Sequence, residues 1–120
     1  MKPRAAAALA LLLAAGPALA QDRTPVQRQT LTELAYVLGE SHALRQDCQG
    51  QADQYWRLRM SQLLQAETPD EAFDRSLREN FNTGYAAAQA QFPMCDDRSQ
   101  AEAARLARRG AALAQTAGRP

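Results

Sequence analysis

The chain has 120 residues, 14 basic and 13 acidic, with a formal net charge of +1 and 6% aromatic residues. That length bounds it to one domain with a modest core, and the near-even charge argues against a polycationic nucleic-acid binder. No apolar run reaches the roughly 20 residues of a membrane-spanning helix, so neither a transmembrane protein nor a multidomain enzyme is expected.

Lys2 and Arg4 precede an Ala/Leu run from Ala5 to Ala15, followed by Gly16-Pro17 and the box Ala18-Leu19-Ala20. This order predicts a cleavable secretory signal peptide over residues 1–20 and export to the periplasm. No cysteine follows the box, so no lipid anchor is expected. The predicted mature chain, Gln21 to Pro120, has 12 arginines, no lysine and 13 acids, for a net charge of −1. Its two cysteines, Cys48 and Cys95, read as one disulfide in an oxidising compartment. Closing a loop of about 47 residues should stabilise the fold by about 4 kcal/mol. A metal site would need further ligands, and His42 is the only histidine. A C-x-x-C redox pair is absent, and neither a metal nor a cofactor is expected.

Residues 21–29 read as a flexible polar lead-in, and the helical domain as residues 30–97. From Thr30, the residues Leu31, Leu34, Ala35, Val37, Leu38, Leu44 and Cys48 share one arc of a helix, opposite Glu33, Tyr36, Glu40 and Asp47. Gly50 suits the stop. A second helix, from about Ala52 to Ala66, has an apolar stripe of Trp56, Met60, Leu63 and Leu64, with Arg57, Arg59 and Gln62 turned outward. Thr68 is placed as the cap of the third helix, with Pro69 in its first turn. That helix carries Phe73, Leu77, Phe81, Gly84/Tyr85, Ala88 and Phe92 at helical spacing until Pro93. Residues 96–99 read as a polar joint.

The segment 98–120 reads as a basic, Ala-rich helix or tail with only Leu106 and Leu113 as large apolar residues. It carries five arginines against Glu102, or +4, whereas residues 21–97 carry seven against twelve acids, or −5. Such a tail can fold back on the acidic body or make weak contact with anionic surfaces. Folding back is preferred, because the tail lacks the aromatic and bulky apolar residues that enter membranes. No β-branched alternation is present, so no strands are expected.

These elements predict an all-α fold, a small up-down-up three-helix bundle stapled by one disulfide, plus the C-terminal helix or tail. In that topology the first and third helices run parallel, which brings Cys48 and Cys95 to the same end. Gly39 lies nine residues before Cys48 and Gly84 eleven before Cys95, so at about 1.5 Å per residue they share a height. Glycine inside a helix costs about 1 kcal/mol against alanine, and a close contact between the two helices is the expected reason.

Two polar residues intrude on the apolar arc, His42 and Arg45. A buried arginine needs a partner, and Asp53 at the start of the second helix is the natural one. His42 reads as a satisfied core or boundary residue, since no second ligand or nucleophile is placed beside it. Trp56 reads as core. Tyr85 falls at the edge of its stripe, with a hydroxyl that must find a partner.

The strings LAYVLGESHALRQDC (34–48), YWRLRMSQLL (55–64) and FNTGY (81–85), with Glu67-Thr68-Pro69 between them and Cys95 closing, carry a resemblance. In this pattern, LGExHxLRxxC … WRxxM … FNxGY … C, the chain resembles a small alphaproteobacterial family of secreted proteins of unknown function. The resemblance implies an exported, cysteine-paired helical domain and transfers no catalytic or binding residue. The leading functional expectation is a non-enzymatic periplasmic interaction or accessory protein with an envelope partner. The alternatives are a small-ligand carrier with a pocket between helices, and a small hydrolase using Glu40 and His42. A carrier needs an apolar cavity of some hundreds of Å³, and the hydrolase needs Glu40 and His42 in one cleft.

Intact-mass measurement on periplasmic material is expected to show a chain starting at Gln21 that gains about two mass units on reduction. Free thiols at both Cys48 and Cys95 would overturn the compartment reading.

Overall fold

Four helices follow one another in the computed structural model, which describes residues 23–118. They are α1 (Pro25–Gln49), α2 (Tyr55–Glu67), α3 (Glu71–Gln91) and α4 (Asp97–Ala117), with no strand among the described residues. The signal-peptide expectation over residues 1–20 lies outside the described residues.

Four boundaries differ from the sequence reading: α2 starts at Tyr55 rather than at about Ala52, and the other three differ for a capping reason. α1 starts at Pro25 rather than Thr30, so a helix replaces the lead-in expected up to residue 29. The Thr24 hydroxyl accepts from the Gln27 N–H at 3.1 Å, and the Gln27 amide oxygen accepts from the Thr24 N–H at 2.9 Å. Both orphan donors are thereby satisfied, and Pro25 fits the first turn. α3 is capped by Asp70, whose carboxylate accepts from the Phe73 N–H at 2.8 Å. Thr68 instead ends α2, in the left-handed region at φ 42°. A β-branched residue there is strained. The polar joint is the N-cap of α4: Asp96 and Ser99 exchange side-chain hydrogen bonds with each other's N–H groups at 2.8 and 2.9 Å, and Ser99 is buried.

α1 is the central helix, and the order is up-down-up-down. α2 runs antiparallel to it, as Arg45 meets Asp53 at one end and Arg23 meets Glu67 at the other. α3 runs parallel to it. A Cβ added to Gly39 would collide with the Phe81 carbonyl, and one added to Gly84 would collide with the Tyr36 carbonyl. The two backbones are therefore in direct contact. The Cys48–Cys95 disulfide, with Cα atoms 5.0 Å apart, closes the same end.

α4 folds back and runs antiparallel along α1, the preferred of the two sequence expectations for this segment. It buries Leu106 and Ala117, and its Gly110 packs over Val37 and Leu34. One apolar cluster joins Leu31, Leu34, Ala35 and Leu38 to Met60, Leu64, Phe73, Leu77 and Phe81. A second joins Val37, Ala43 and Leu44 to Ala88, Phe92 and Leu106. α1 is thus covered on three sides, wider than the single arc its sequence suggested.

Arg23 knots the end opposite the disulfide. Its guanidinium donates to both Glu67 carboxylate oxygens, at 2.7 and 2.8 Å, and to the Ala117 carbonyl at 2.6 Å. One side chain thus joins the start of α1 to the last turns of α2 and α4, and its charge suits the negative end of the α4 dipole.

The glycines give a contrast in sign. Gly39→Ala should lower stability in urea by about 1–3 kcal/mol, because a rigid carbonyl blocks the new methyl. Gly110→Ala should raise it by up to about 1 kcal/mol, since helix propensity favours alanine and the nearest atom to the new Cβ is a Val37 methyl at 3.5 Å. Equal effects at the two positions would refute the assigned packing.

Candidate functional site

α2 has only 13 residues, and ion pairs hold both its ends to α1 or the segment before it. α4 faces it with small side chains. Between them a groove of about 410 Å³ opens over α1. Leu34, Val37, Leu38 and Ser41 form its floor, Trp56, Arg59, Gln62 and Leu63 one wall, and Leu106, Ala107, Gly110, Ala111 and Ala114 the other. The lining is mainly apolar and the volume lies in the range of small-molecule sites, about 300–1,000 Å³.

The polar groups of this groove are unusual. Thr30, Thr32, Ser61, Thr83 and Thr116 each donate a hydroxyl hydrogen bond to the carbonyl four residues back. Ser41, 3% exposed, makes no such bond, and its Oγ has no hydrogen-bond partner among the described residues. A buried hydroxyl without a partner costs about 1–3 kcal/mol. Among the described residues Arg59 is the only charged one in the lining. Its guanidinium lies 5.7 Å from the Tyr55 ring, and it forms no ion pair with any described residue. Trp56 is half-buried, edge-on to Tyr55 at 4.9 Å between ring centroids.

Beside the groove, at the start of α2, the residues singled out in the sequence form a polar cluster. Arg45 Nε donates to Asp53 Oδ1 at 2.9 Å, and the guanidinium stacks on the Tyr55 ring at 4.7 Å. The Arg45 side chain is 41% exposed, so it is a paired rim residue and not the buried charge that its helical projection suggested. Burial acts to raise the Asp53 carboxyl, but the Tyr55 N–H and the Arg45 guanidinium outweigh it and hold the group below the usual carboxylate range. The Tyr85 hydroxyl donates to the Gln46 amide oxygen, and the Gln46 amide donates to the Gln51 carbonyl at 2.8 Å. Tyr85 therefore anchors the α1–α2 loop through Gln46, a residue the sequence reading passed over.

His42 is 3% exposed, packed 5.6 Å from the Phe81 ring and 5.2 Å from the Tyr85 ring, a core residue as expected but not a satisfied one, because its Nδ1 has no hydrogen-bond partner among the described residues. Burial, with Arg57 nearby, pushes its pKa down, while Asp53 opposes the shift. Glu40 lies elsewhere. It lines a polar recess of about 290 Å³ with Glu33, Tyr36, Asn80 and Arg109. Its carboxyl is raised by burial and by Glu102, against Arg105 and Arg109. Two residues apart on a helix means about 200° of rotation, and His42 lines neither this recess nor the groove. The acid and the imidazole do not converge.

The basic segment is engaged partly on the body and partly on itself. Arg109 pairs with Glu33 at 3.3 Å, Arg105 pairs with Glu102, and Arg98 lies 4.8 Å over the Phe92 ring. Trp56 and Arg59, read from sequence as core and outward-facing, both belong to the groove. What hid the site was α4: small residues at 107, 110, 111 and 114 read as a tail with little to bury, when they form a wall.

The family described as "Protein of unknown function (DUF2385)" matches this chain over residues 25–118, which includes all four helices. No curated protein and no solved structure matches it. Among the described residues no helix is long and apolar enough to cross a membrane.

The burial of His42 makes stability pH-dependent. Its folded-state pKa lies below the ordinary value of 6.5, so the unfolded chain takes up the proton first. Its contribution is complete above about pH 6.5 and is lost as pH falls below that value. Urea titrations should show stability dropping by up to about 1.4 kcal/mol per unit between pH 6.5 and 5. His42→Phe should flatten that window relative to the parent. Asp53, Asp70 and Glu102, whose pKa values are lowered, lose their contributions only near and below about pH 4.5. The raised Glu40 and Asp47 act in the opposite sense in both chains and cancel in the comparison. Identical pH profiles would refute the assignment to His42.

Proposed function

Since the chain belongs to the DUF2385 family, we propose that it is an exported, non-enzymatic accessory protein of the cell envelope that works by binding a small apolar-bodied ligand. The observation that carries this reading is the groove between α1, α2 and α4, about 410 Å³ and mainly apolar. Its size and lining are those a carrier needs. The hydrolase alternative has no comparable support, because Glu40 and His42 lie on different sides of α1. Export is supported by the residue pattern Met1 to Ala20 and by the paired cysteines, Cys48 and Cys95. The alphaproteobacterial periplasm as its setting rests on the sequence resemblance. Contact with an envelope protein remains part of this reading, with the groove as the ligand side of that role.

The single tryptophan lies in the groove wall and reports on occupancy. N-phenylnaphthylamine, a neutral apolar fluorophore, should bind saturably and accept energy from Trp56. Gly110→Leu directs a side chain over Val37 and Leu34 in the groove floor and should weaken that binding at least about tenfold while the helical circular dichroism is retained. Absence of saturable binding, or binding indifferent to Gly110→Leu, would refute the reading.

A further inference from the structure

We propose that the groove's ligand is a free fatty acid, with its carboxylate held between Arg59 and Ser41 and its chain lying along Leu34, Leu38 and Leu63. This rests on the reading of the groove as a ligand site and adds the chemistry of the head group.

Charge comes first. Among the described residues Arg59 is the only charged one lining the groove and no acid lines it, so an anionic head meets attraction without a repulsive counterpart. A guanidinium with no ion pair is the group best shaped to receive a carboxylate, through two parallel hydrogen bonds.

The second observation is Ser41. Ser41 lines the groove and its hydroxyl, buried at the floor, lacks a partner among the described residues, whereas the five helical hydroxyls named above are satisfied by their own helix. A donor left open beside an apolar groove is supplied by an acceptor on the ligand.

Register places the two groups at the same end. The start of α2 is pinned beside the last turns of α1 by the Arg45–Asp53 pair. The Arg59 guanidinium reaches back toward Tyr55, at that same start of α2. Ser41 lies on the C-terminal side of the α1 floor. From there to Leu34 is seven residues, about 10 Å of helix, along which only apolar floor residues remain. Apart from Gln62 on the α2 wall, the groove is therefore polar at one end and apolar along its length. That polarity fits a single-chain amphiphile and not a compact ligand.

The test is displacement of N-phenylnaphthylamine from the mature chain by two amphiphiles below their micelle concentrations, dodecanoate and dodecyltrimethylammonium. They share a chain and differ in head charge. Dodecanoate should displace the probe at a concentration at least about tenfold lower, the worth of one charge-assisted contact. In Arg59→Gln the ratio between the two amphiphiles should collapse to within about threefold, and Ser41→Ala should reduce it less. Reading the ratio within each variant cancels any general change in groove affinity. Normal probe binding with equal displacement by both heads, or an unchanged ratio in Arg59→Gln, would overturn the fatty-acid assignment and leave the apolar-ligand reading standing. A chain that binds neither probe nor dodecanoate would overturn both.

Discussion

The contact on which the structure depends is backbone against backbone, where α1 and α3 cross at Gly39 and Gly84. Each glycine lies against the carbonyl of the residue three positions before the other, Phe81 for Gly39 and Tyr36 for Gly84. Nothing larger than hydrogen fits between them. Each glycine costs about 1 kcal/mol of helix propensity, and the cost is offset by the dispersion contacts and Cα–H···O approaches that two touching helices gain. Because α1 and α3 are parallel, the chain between them must return the full height of the bundle. α2 does that, and the same geometry brings Cys48 and Cys95 to one end.

The groove follows from how α2 makes its return. It has few large buried side chains, mainly Met60 and Leu64, and is strung between two ion pairs. The Arg45–Asp53 pair at the exposed end is worth little on its own, as surface pairs are. The Arg23–Glu67 pair is more buried, with side chains 19% and 9% exposed, and it also receives the end of α4 through the Ala117 carbonyl. α2 is thus held by these end contacts and by Met60 and Leu64 in the core. With α4 offering alanine and glycine across from it, the space between them is not filled.

The central position of α1 accounts for its polar residues. A helix covered on three sides has no solvent face for Ser41, His42 and Gln46, all buried. Each is treated differently. Gln46 is satisfied by Tyr85 and the α1–α2 loop. His42 packs among aromatic rings, its pKa lowered by burial, with its Nδ1 unpartnered among the described residues. The Ser41 hydroxyl also has no partner among the described residues, and the residue lines the groove, the arrangement expected where stability yields to a ligand.

The sequence by itself determined the helices, their approximate extents, the disulfide pairing and the parallel run of α1 and α3. These rest on local or arithmetic signals: helical periodicity, two cysteines, and two glycines at matched distances from them. It also identified Arg45 and Asp53 as a pair, through the charge requirement on an intruding arginine. It did not determine where α4 goes. Alanine and glycine carry no amphipathic signature strong enough to announce a buried face, so a packed wall and a loose tail read alike. Trp56 packs against the core and Arg59 is exposed, as the sequence suggested, but that both also line a groove was not legible, since the space between α2 and α4 exists only once both are laid on α1. The capping boxes at Thr24 and Asp96 are local, but in the sequence alone they read as a lead-in and a polar joint. Tertiary packing decided the groove, because an unfilled volume is a property of several helices together and of no segment alone.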